Sequence, residues 1–249
     1  MSNKDNADNK PDITMFFPAY NEEENIPIII KSAEEILKKV AGDYEIVVVV
    51  YEGSQDNSIK VVKNFEKKND KVKLIVQPKD KKGIGTAIKI GFESAKYPCI
   101  FYADSDNQFN LREFEKFLPY IKDYDVIAGY RIKRKDPFTR ILTSKIYNLI
   151  VGALFGTKER DLDCAFRLVK KNVINNINLV CKTGLATTEL LAKARKKRFK
   201  IIEIGVNHYP RMLGKPVFEW EVGLNIPKPK VVLDILKEVI LLWKDVRKR

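Results

Sequence analysis

The 249-residue sequence contains a single histidine, His208. A zinc site built from several histidines is therefore excluded, and a serine or cysteine nucleophile would have to borrow that one imidazole. Cysteine is scarce too. Cys99, Cys164 and Cys181 are an odd set without CxxC spacing, which excludes a disulfide framework and a zinc ribbon and reads as reduced thiols of a cytosolic protein. No run approaches the roughly 20 apolar residues that a spanning helix needs. The opening segment MSNKDNADNKPD is polar and lacks the apolar stretch of a signal peptide, so residues 1–11 read as a short disordered leader and the expected location is the cytoplasm.

What is present is a core-forming composition, 45% hydrophobic, of a length suited to one or two domains. There is also a strong excess of positive charge: 46 basic against 33 acidic residues, a formal +13. Its distribution is uneven. Residues 1–120 carry 18 basic and 20 acidic side chains, residues 121–189 carry 13 and 7, and residues 190–249 carry 15 and 6. The excess lies wholly in the second half, which suits a polyanionic partner: nucleic acid, a phosphorylated substrate or an anionic membrane face.

From Ile13 onward strand and helix signals alternate. Ile13–Phe17 reads as a strand, and Asn25–Val40 as a helix burying Ile26, Ile29, Ile30, Ala33, Ile36, Leu37 and Val40, with Pro27 tolerated in its first turn. Glu45–Val50 is a continuous apolar strand of the parallel-sheet type. Asp56 caps a helix running to about Lys68. Val72–Val76, Cys99–Ala103 and Val126–Ala128 follow as strands, with helices at Thr86–Ala95 and Leu111–Ile121 between them. The second half is less regular, with a strand near 165–169, a helix over 184–197, a strand over 200–206 and a mobile loop over 207–230. This alternation implies an α/β fold, a mostly parallel Rossmann-like sheet with helices on both faces. Ligands of such sheets bind beyond the carboxyl ends of the strands, here just after Phe17, Val50 and Ala103.

Asp104-Ser105-Asp106 follows the fourth strand directly. Two carboxylates at i and i+2 on a turn converge on one hard divalent cation, Mg²⁺ or Mn²⁺, and Gln108 offers a neutral oxygen beside them. The alternative is a solvated acidic turn that caps the helix after Asn110. Three more polar elements fall at neighbouring strand ends: Pro18-Ala19-Tyr20-Asn21-Glu22, Tyr51-Glu52-Gly53-Ser54 and Lys82-Gly83-Ile84-Gly85-Thr86-Ala87. Later come Asp161-Leu162-Asp163-Cys164-Ala165-Phe166-Arg167-Leu168, Thr188-Glu189-Leu190-Leu191, and His208-Tyr209-Pro210-Arg211 with Gly214-Lys215.

In this order the seven elements resemble the family-2 glycosyltransferases of the GT-A fold, and within them the dolichyl-phosphate (polyprenyl-phosphate) mannosyl- and glucosyltransferases. The resemblance covers roughly residues 12–220. It implies a GT-A domain over 12–230, with a nucleotide half to about 130 and an acceptor half from 131, followed by a C-terminal amphipathic helix over 231–249. It implies an inverting transfer of a hexose (mannose, glucose or N-acetylglucosamine) from a nucleotide-diphosphate sugar to a polyprenyl phosphate. Asp104, Asp106, Asp161, Asp163 and Glu189 are its catalytic carboxylates. Pro18, Tyr20, Glu22, Glu52, Ala103, Ser105, Arg131, Arg211 and Lys215 surround the donor, Tyr20 by stacking on the base. The chain departs from the family pattern in having Tyr51-Glu52 for Asp-Asp, Ala165 for Gly and Pro216 for Ser.

The shortage of histidine fits a phosphate acceptor. An alcohol needs a general base, whereas a phosphate monoester, with a second pKa near ~6, is already an anion at neutral pH. The alternative for Asp161 and Asp163 is a charged loop paired with Arg160 or Arg167. A lipid acceptor requires a membrane surface. The apolar run Ile141–Phe155 follows five basic residues within Arg131–Arg140 and suits the cytoplasmic interface of a peripheral protein, as does the Val231–Val246 helix with Trp243 and its basic end. For that last helix, packing on the domain or on a second copy in a homodimer is the alternative. Two competing readings remain from the sequence: a soluble-acceptor glycosyltransferase, and a basic nucleic-acid-binding module or inactive homologue. The chain has no RNP-like or recognition-helix signature, so no nucleic-acid partner is expected.

Overall fold

The computed structural model describes residues 10–132, 138–214 and 229–247. The expected leader over residues 1–11 lies almost wholly outside the described residues, as does the 215–228 part of the expected mobile loop.

Four strands, β1 (Ile13–Ala19), β2 (Tyr44–Tyr51), β3 (Val72–Gln77) and β4 (Cys99–Ala103), are mutually parallel. The later strands β5 (Val126–Ile132), β6 (Phe166–Lys170) and β7 (Ile201–Asn207) complete one seven-stranded sheet in the order β3-β2-β1-β4-β6-β5-β7. Only β6 runs against its neighbours, between β4 and β5. The boundary expected near residue 130 therefore falls inside β5, within one continuous sheet.

The continuous apolar strands are buried on both faces, and their period of two divides them between two cores. Ile46, Val48 and Val50 of β2, with Phe101 and Ala103 of β4, face α1 (Ile26–Val40) and α2 (Ser58–Glu66). Val47, Val49, Ile100 and Tyr102 face α3 (Ile84–Ser94) and the later helices. The seven apolar residues expected on the inner face of α1 are all buried. The helix expected over Leu111–Ile121 is present as a 3-10 helix over Leu111–Tyr120. It contains Pro119, which cannot donate to an α-helical ladder and crowds the preceding turn.

Behind the sheet lie α4 (Phe138–Phe155), α5 (Lys171–Asn176), α6 (Leu185–Lys196) and α7 (Pro229–Arg247). The last helix packs on α6 and α4 through Leu242, which is fully buried. Glu238 of α7 accepts hydrogen bonds from the amides of Lys182 and Thr183, at 2.8 and 3.1 Å. Among the described residues no helix is long and apolar enough to cross a membrane.

α3 approaches β1 closely because Gly91 lies over the Phe16 ring. A Cβ there would stand 2.3 Å from the ring carbons, and Phe16 is held by Phe92 and Tyr102, with centroids 5.0 and 5.4 Å away. Gly91→Ala should therefore overpack this seam and lower stability by about 1–3 kcal/mol. The urea midpoint of the purified variant checks it.

Candidate functional site

The carboxyl ends of β1, β2 and β4 converge, as the parallel arrangement requires. After β4 the chain turns through Asp104, Ser105 and Asp106. The turn is built from local polar bonds. The Asp106 Oδ1 accepts from the Gln108 amide at 3.0 Å. Asn107 takes the left-handed φ of 57° that asparagine tolerates. The Asn107 Nδ2 donates to the Asn25 Oδ1 at 2.9 Å, and the Ser105 hydroxyl donates to the Pro18 carbonyl at 2.8 Å. Ser105 thus fixes the turn to Pro18 near the end of β1, while Ala103, the last residue of β4, is fully buried and pairs with Phe166 of β6.

Burial, then the neighbouring Asp106 and Glu22 carboxylates, push the Asp104 carboxyl well above the ordinary aspartate range, against the opposing pull of Arg131 and Arg211. Burial also raises Glu22, while Arg211 and Asn25 hold it down. Arg211 reaches this cluster from the far end of the chain. Its Nη2 donates to both Glu22 oxygens at 2.7 Å, and its Nη1 lies 3.7 Å from the Asp106 Oδ2. The segment carrying it is stitched down by a Phe109–His208 bridge. The Tyr209 amide donates to the Gln108 carbonyl at 2.8 Å, and the Gly214 amide to the Glu24 Oε2 at 3.1 Å. The Gln108 side chain donates to the Tyr209 carbonyl at 2.9 Å, which commits its amide nitrogen to this segment.

At the β1 and β2 ends the Tyr20 and Tyr51 rings lie 5.7 Å apart. The Tyr51 ring folds back over Gly53, where a Cβ would come within 2.4 Å of it, and its hydroxyl donates to the Lys79 carbonyl. The Glu52 carboxylate accepts from the Lys79 amide at 3.1 Å. Tyr51, which replaces a family aspartate, therefore shares an aromatic wall with Tyr20.

Arg131 and Asp161 form a two-pronged ion pair with both bonds at 2.7 Å, and the Arg131 amide also donates to Asp161. Burial opposes the Arg131 charge, but the Asp161 carboxylate more than offsets it and holds the guanidinium protonated above its usual value. Among the described residues, Asp161 is thus paired with Arg131. Arg167 is itself buried, with its guanidinium donating to the Leu162 and Thr187 carbonyls. Asp163 is half-buried on the same loop.

Glu189, expected among the catalytic carboxylates, is fully buried and structural in its bonding. It accepts from the amides of Val180 and Cys181 and pairs with Lys193 at 2.6 Å. Lys215 lies outside the described residues. Sequence reasoning missed Asn25, Asn107 and Glu24. Their signal is weak, an asparagine within each of two acidic turns. Among the described residues no group of three or more His, Cys, Asp or Glu is arranged around one point as a self-sufficient metal cage. Asp104 and Asp106 instead form an open pair suited to a cation whose remaining ligands come from a substrate.

An aspartate whose folded pKa lies above its unfolded one favours folding when protonated, and that contribution is lost as pH rises through the folded value. Asp104→Asn should therefore raise the thermal midpoint of the metal-free protein at about pH 8. The gain should shrink towards about pH 4, close to the unfolded aspartate value of ~3.9. Melting curves in EDTA across that range check it.

Comparison with known proteins agrees with this geometry. The family model "Glycosyl transferase family 2" matches residues 14–177. The chain is similar to an undecaprenyl-phosphate 4-deoxy-4-formamido-L-arabinose transferase of Pectobacterium atrosepticum, 26% identical over 220 residues that cover 88% of this chain and 66% of the relative. It is similar to the protein of the same name from Pseudomonas fluorescens, 29% identical over 203 residues that cover 81% and 58%. The chain thus spans about two thirds or less of the length of these relatives. Among solved structures, glucosyl-3-phosphoglycerate synthase from Mycobacterium tuberculosis, in complex with Mn²⁺, UDP and phosphoglyceric acid, superposes with a TM-score of 0.69. The identity is 13%, and the match covers 95% of this chain and 78% of that one. That likeness shows the GT-A-type fold. The family match covers well over half the sequence, and the chain belongs to glycosyl transferase family 2.

Proposed function

We propose that this chain transfers a sugar from a nucleotide-diphosphate donor to a polyprenyl phosphate. The observation that carries the reading is the Asp104–Asp106 turn at the sheet's carboxyl end, with the Arg211 guanidinium 3.7 Å from Asp106. A site whose burial disfavours the charge of its acidic groups, with an arginine already beside them, suits a ligand that is itself a metal–diphosphate pair. The donor set of two aspartates fits Mg²⁺ or Mn²⁺, which favour hard oxygen ligands and leave positions for phosphate oxygens. Such a cation supplies charge neutralisation for the departing diphosphate. The M. tuberculosis neighbours bind Mn²⁺ or Mg²⁺ with UDP.

The chain's own groups then divide the work. Asp104 and Asp106 would hold the cation. Arg211, which pairs with Glu22 and lies 3.7 Å from Asp106, is placed to bind the diphosphate. Tyr20 and Tyr51 offer an aromatic surface to the base, and Glu22 and Glu52 carry acceptors for base or ribose hydroxyls. Asp161 orients Arg131 so that its charge faces phosphate rather than solvent.

The acceptor assignment draws on the relatives, which by name act on undecaprenyl phosphate. It also fits the groups that are already committed: Asp161 to Arg131, and Glu189 to backbone amides. A phosphate acceptor asks for no base. One of its oxygens attacks C1 of the sugar, the C1–O bond to the diphosphate breaks, and the electron pair leaves with the nucleotide. A single displacement of this kind inverts C1. A hexose is the sugar we assign, on the resemblance to the polyprenyl-phosphate mannosyl- and glucosyltransferases.

A panel of nucleotide sugars with Mn²⁺ and a polyprenyl phosphate tests this. Label should appear in the organic phase and vanish with EDTA. Asp104→Asn and Asp106→Asn should each lower turnover by about 100-fold or more while the fold is kept. Full turnover in EDTA, or transfer to soluble hydroxyl acceptors alone, would replace the proposal with a metal-free or soluble-acceptor enzyme.

A further inference from the structure

The two helices behind the sheet turn apolar faces outward. On α4, Leu142, Ile146, Leu149, Ile150 and Leu154 recur at helical spacing and are 42–74% exposed. On α7, Leu233, Leu236, Ile240 and Leu241 do the same at 52–61%. α4 and α7 pack against each other. Isolated exposed leucines are ordinary, but nine large apolar side chains on two touching helices form a patch of the kind that marks an interaction surface.

The charges choose the occupant. α4 contains no acidic residue. On α7 the exposed face carries Lys237, Lys244 and Arg247 among its apolar residues, and Lys145 lies exposed on the α4 face. Two acids of α7 are turned to partners on the domain, and the third, Asp234, is half-exposed at the edge of this face beside Lys237. Glu238 holds the 182–183 amides, Asp245 pairs with Lys193 at 2.5 Å, and Asp234 lies 3.7 Å from Lys237. A face that is apolar at its centre and predominantly basic around it, with four basic side chains against one acidic, complements a bilayer with anionic headgroups. A folded partner of mixed surface charge would need no such one-sided pattern.

The orientation of α7 is fixed by its inner face. Leu242 is buried, and Trp243 packs into the core with Arg247 stacked on its ring at 4.1 Å. The tryptophan is therefore part of the seat that holds the helix on the domain, the packing that the sequence left open for this helix. The face also lies next to the candidate acceptor loop. α4 leads directly into residues 157–163, where the Asn148 side chain donates to the Arg160 carbonyl at 3.2 Å and Asp161 joins Arg131.

We propose that the outward faces of α4 and α7 together form a rigid docking surface for an anionic bilayer. This deepens the lipid-phosphate reading of the site, yet it is carried by the surface itself.

The test is flotation of the full chain with phosphatidylcholine vesicles, with and without phosphatidylglycerol, at low and high salt. The protein should float with the anionic vesicles and less so at high salt, since headgroup attraction is screened beyond ~8–10 Å. Leu149→Glu combined with Ile240→Glu should cut the bound fraction by about tenfold or more, because two buried aliphatic side chains contribute more than the ~1.4 kcal/mol that makes one decade. Both sites are solvent-exposed, so the variant should melt like the wild type. Ile28→Glu, an exposed apolar residue on α1 outside the face, should float unchanged. No flotation, or equal flotation of the double variant, overturns the proposal. So does a wild-type dimer in sedimentation that the double variant dissolves, which would make the face a contact between copies. Transfer to a short, water-soluble prenyl phosphate without vesicles separates the two readings. Activity there without flotation keeps the catalytic reading and removes the docking face. Flotation without activity does the reverse.

Discussion

Like charges held close together at the end of a parallel sheet set the terms for much of this structure. Asp104, Asp106 and Glu22 sit where three strands end, and burial strengthens their mutual repulsion. Compensation comes from parts of the chain that are distant in sequence. Arg211 is 189 residues from Glu22, and Arg131 arrives on β5 with Asp161 as its own counterion. The segment 208–214 is folded down because its arginine has somewhere to go. Its remaining bonds, to Gln108, Asn25 and Glu24, run to the very turns that carry the acids. The turn that carries Asp104 and Asp106 and the segment that carries Arg211 thus stabilise each other.

A second set of contacts ties the donor side to the back of the molecule. The strand of chain at 180–183 is gripped from three sides. Glu189 of α6 takes the amides of 180 and 181, Glu238 of α7 takes those of 182 and 183, and the Gly85 amide of α3 donates to the Lys182 carbonyl at 2.8 Å. Gly83 belongs to the same junction. Its φ of 132° and the Lys182 carbonyl 2.3 Å from where its Cβ would be both require glycine. The glycine pair of the Lys82–Ala87 motif, read from sequence as a turn into a helix, is therefore also the place where α3 rests on a backbone held by two buried or half-buried glutamates.

The parallel half was legible because each of its signals is local. Apolar runs bounded by turns mark β1 to β4, α1 shows its period, and Asp104-Ser105-Asp106 directly follows β4. The family resemblance added the order of the later motifs. The features that escaped are those decided by tertiary contact. The direction of β6 cannot be read from Phe166–Lys170, since a fully buried strand has no pattern that distinguishes parallel from antiparallel. The bonding of Glu189 escaped for a related reason. A glutamate on a helix reads as a candidate base until the backbone it grips is known. The Leu111–Tyr120 segment has helical amphipathicity, and only the consequence of Pro119 separates its 3-10 winding from an α-helix.

Periodicity in α7 is equally blind to direction, and there the structure adds most. The sequence 229–247 has two candidate faces, one with leucines and lysines and one with acids, valines and a tryptophan. A soluble amphipathic helix would be expected to bury the leucines and expose the acids. The observed helix leaves Leu233, Leu236, Ile240 and Leu241 exposed, because two of its acids have specific partners on the domain: two amides for Glu238 and an ammonium for Asp245, while Asp234 stays half-exposed beside Lys237. Burying a carboxylate is tolerable only with such partners. Their presence fixes the rotation of the helix, and the same rotation leaves the aliphatic side chains facing outward. The exposed apolar surface is therefore the other side of a satisfied polar seat, and α4, with no acidic residue to oppose it, continues that surface towards the loop that carries Asp161 and Asp163.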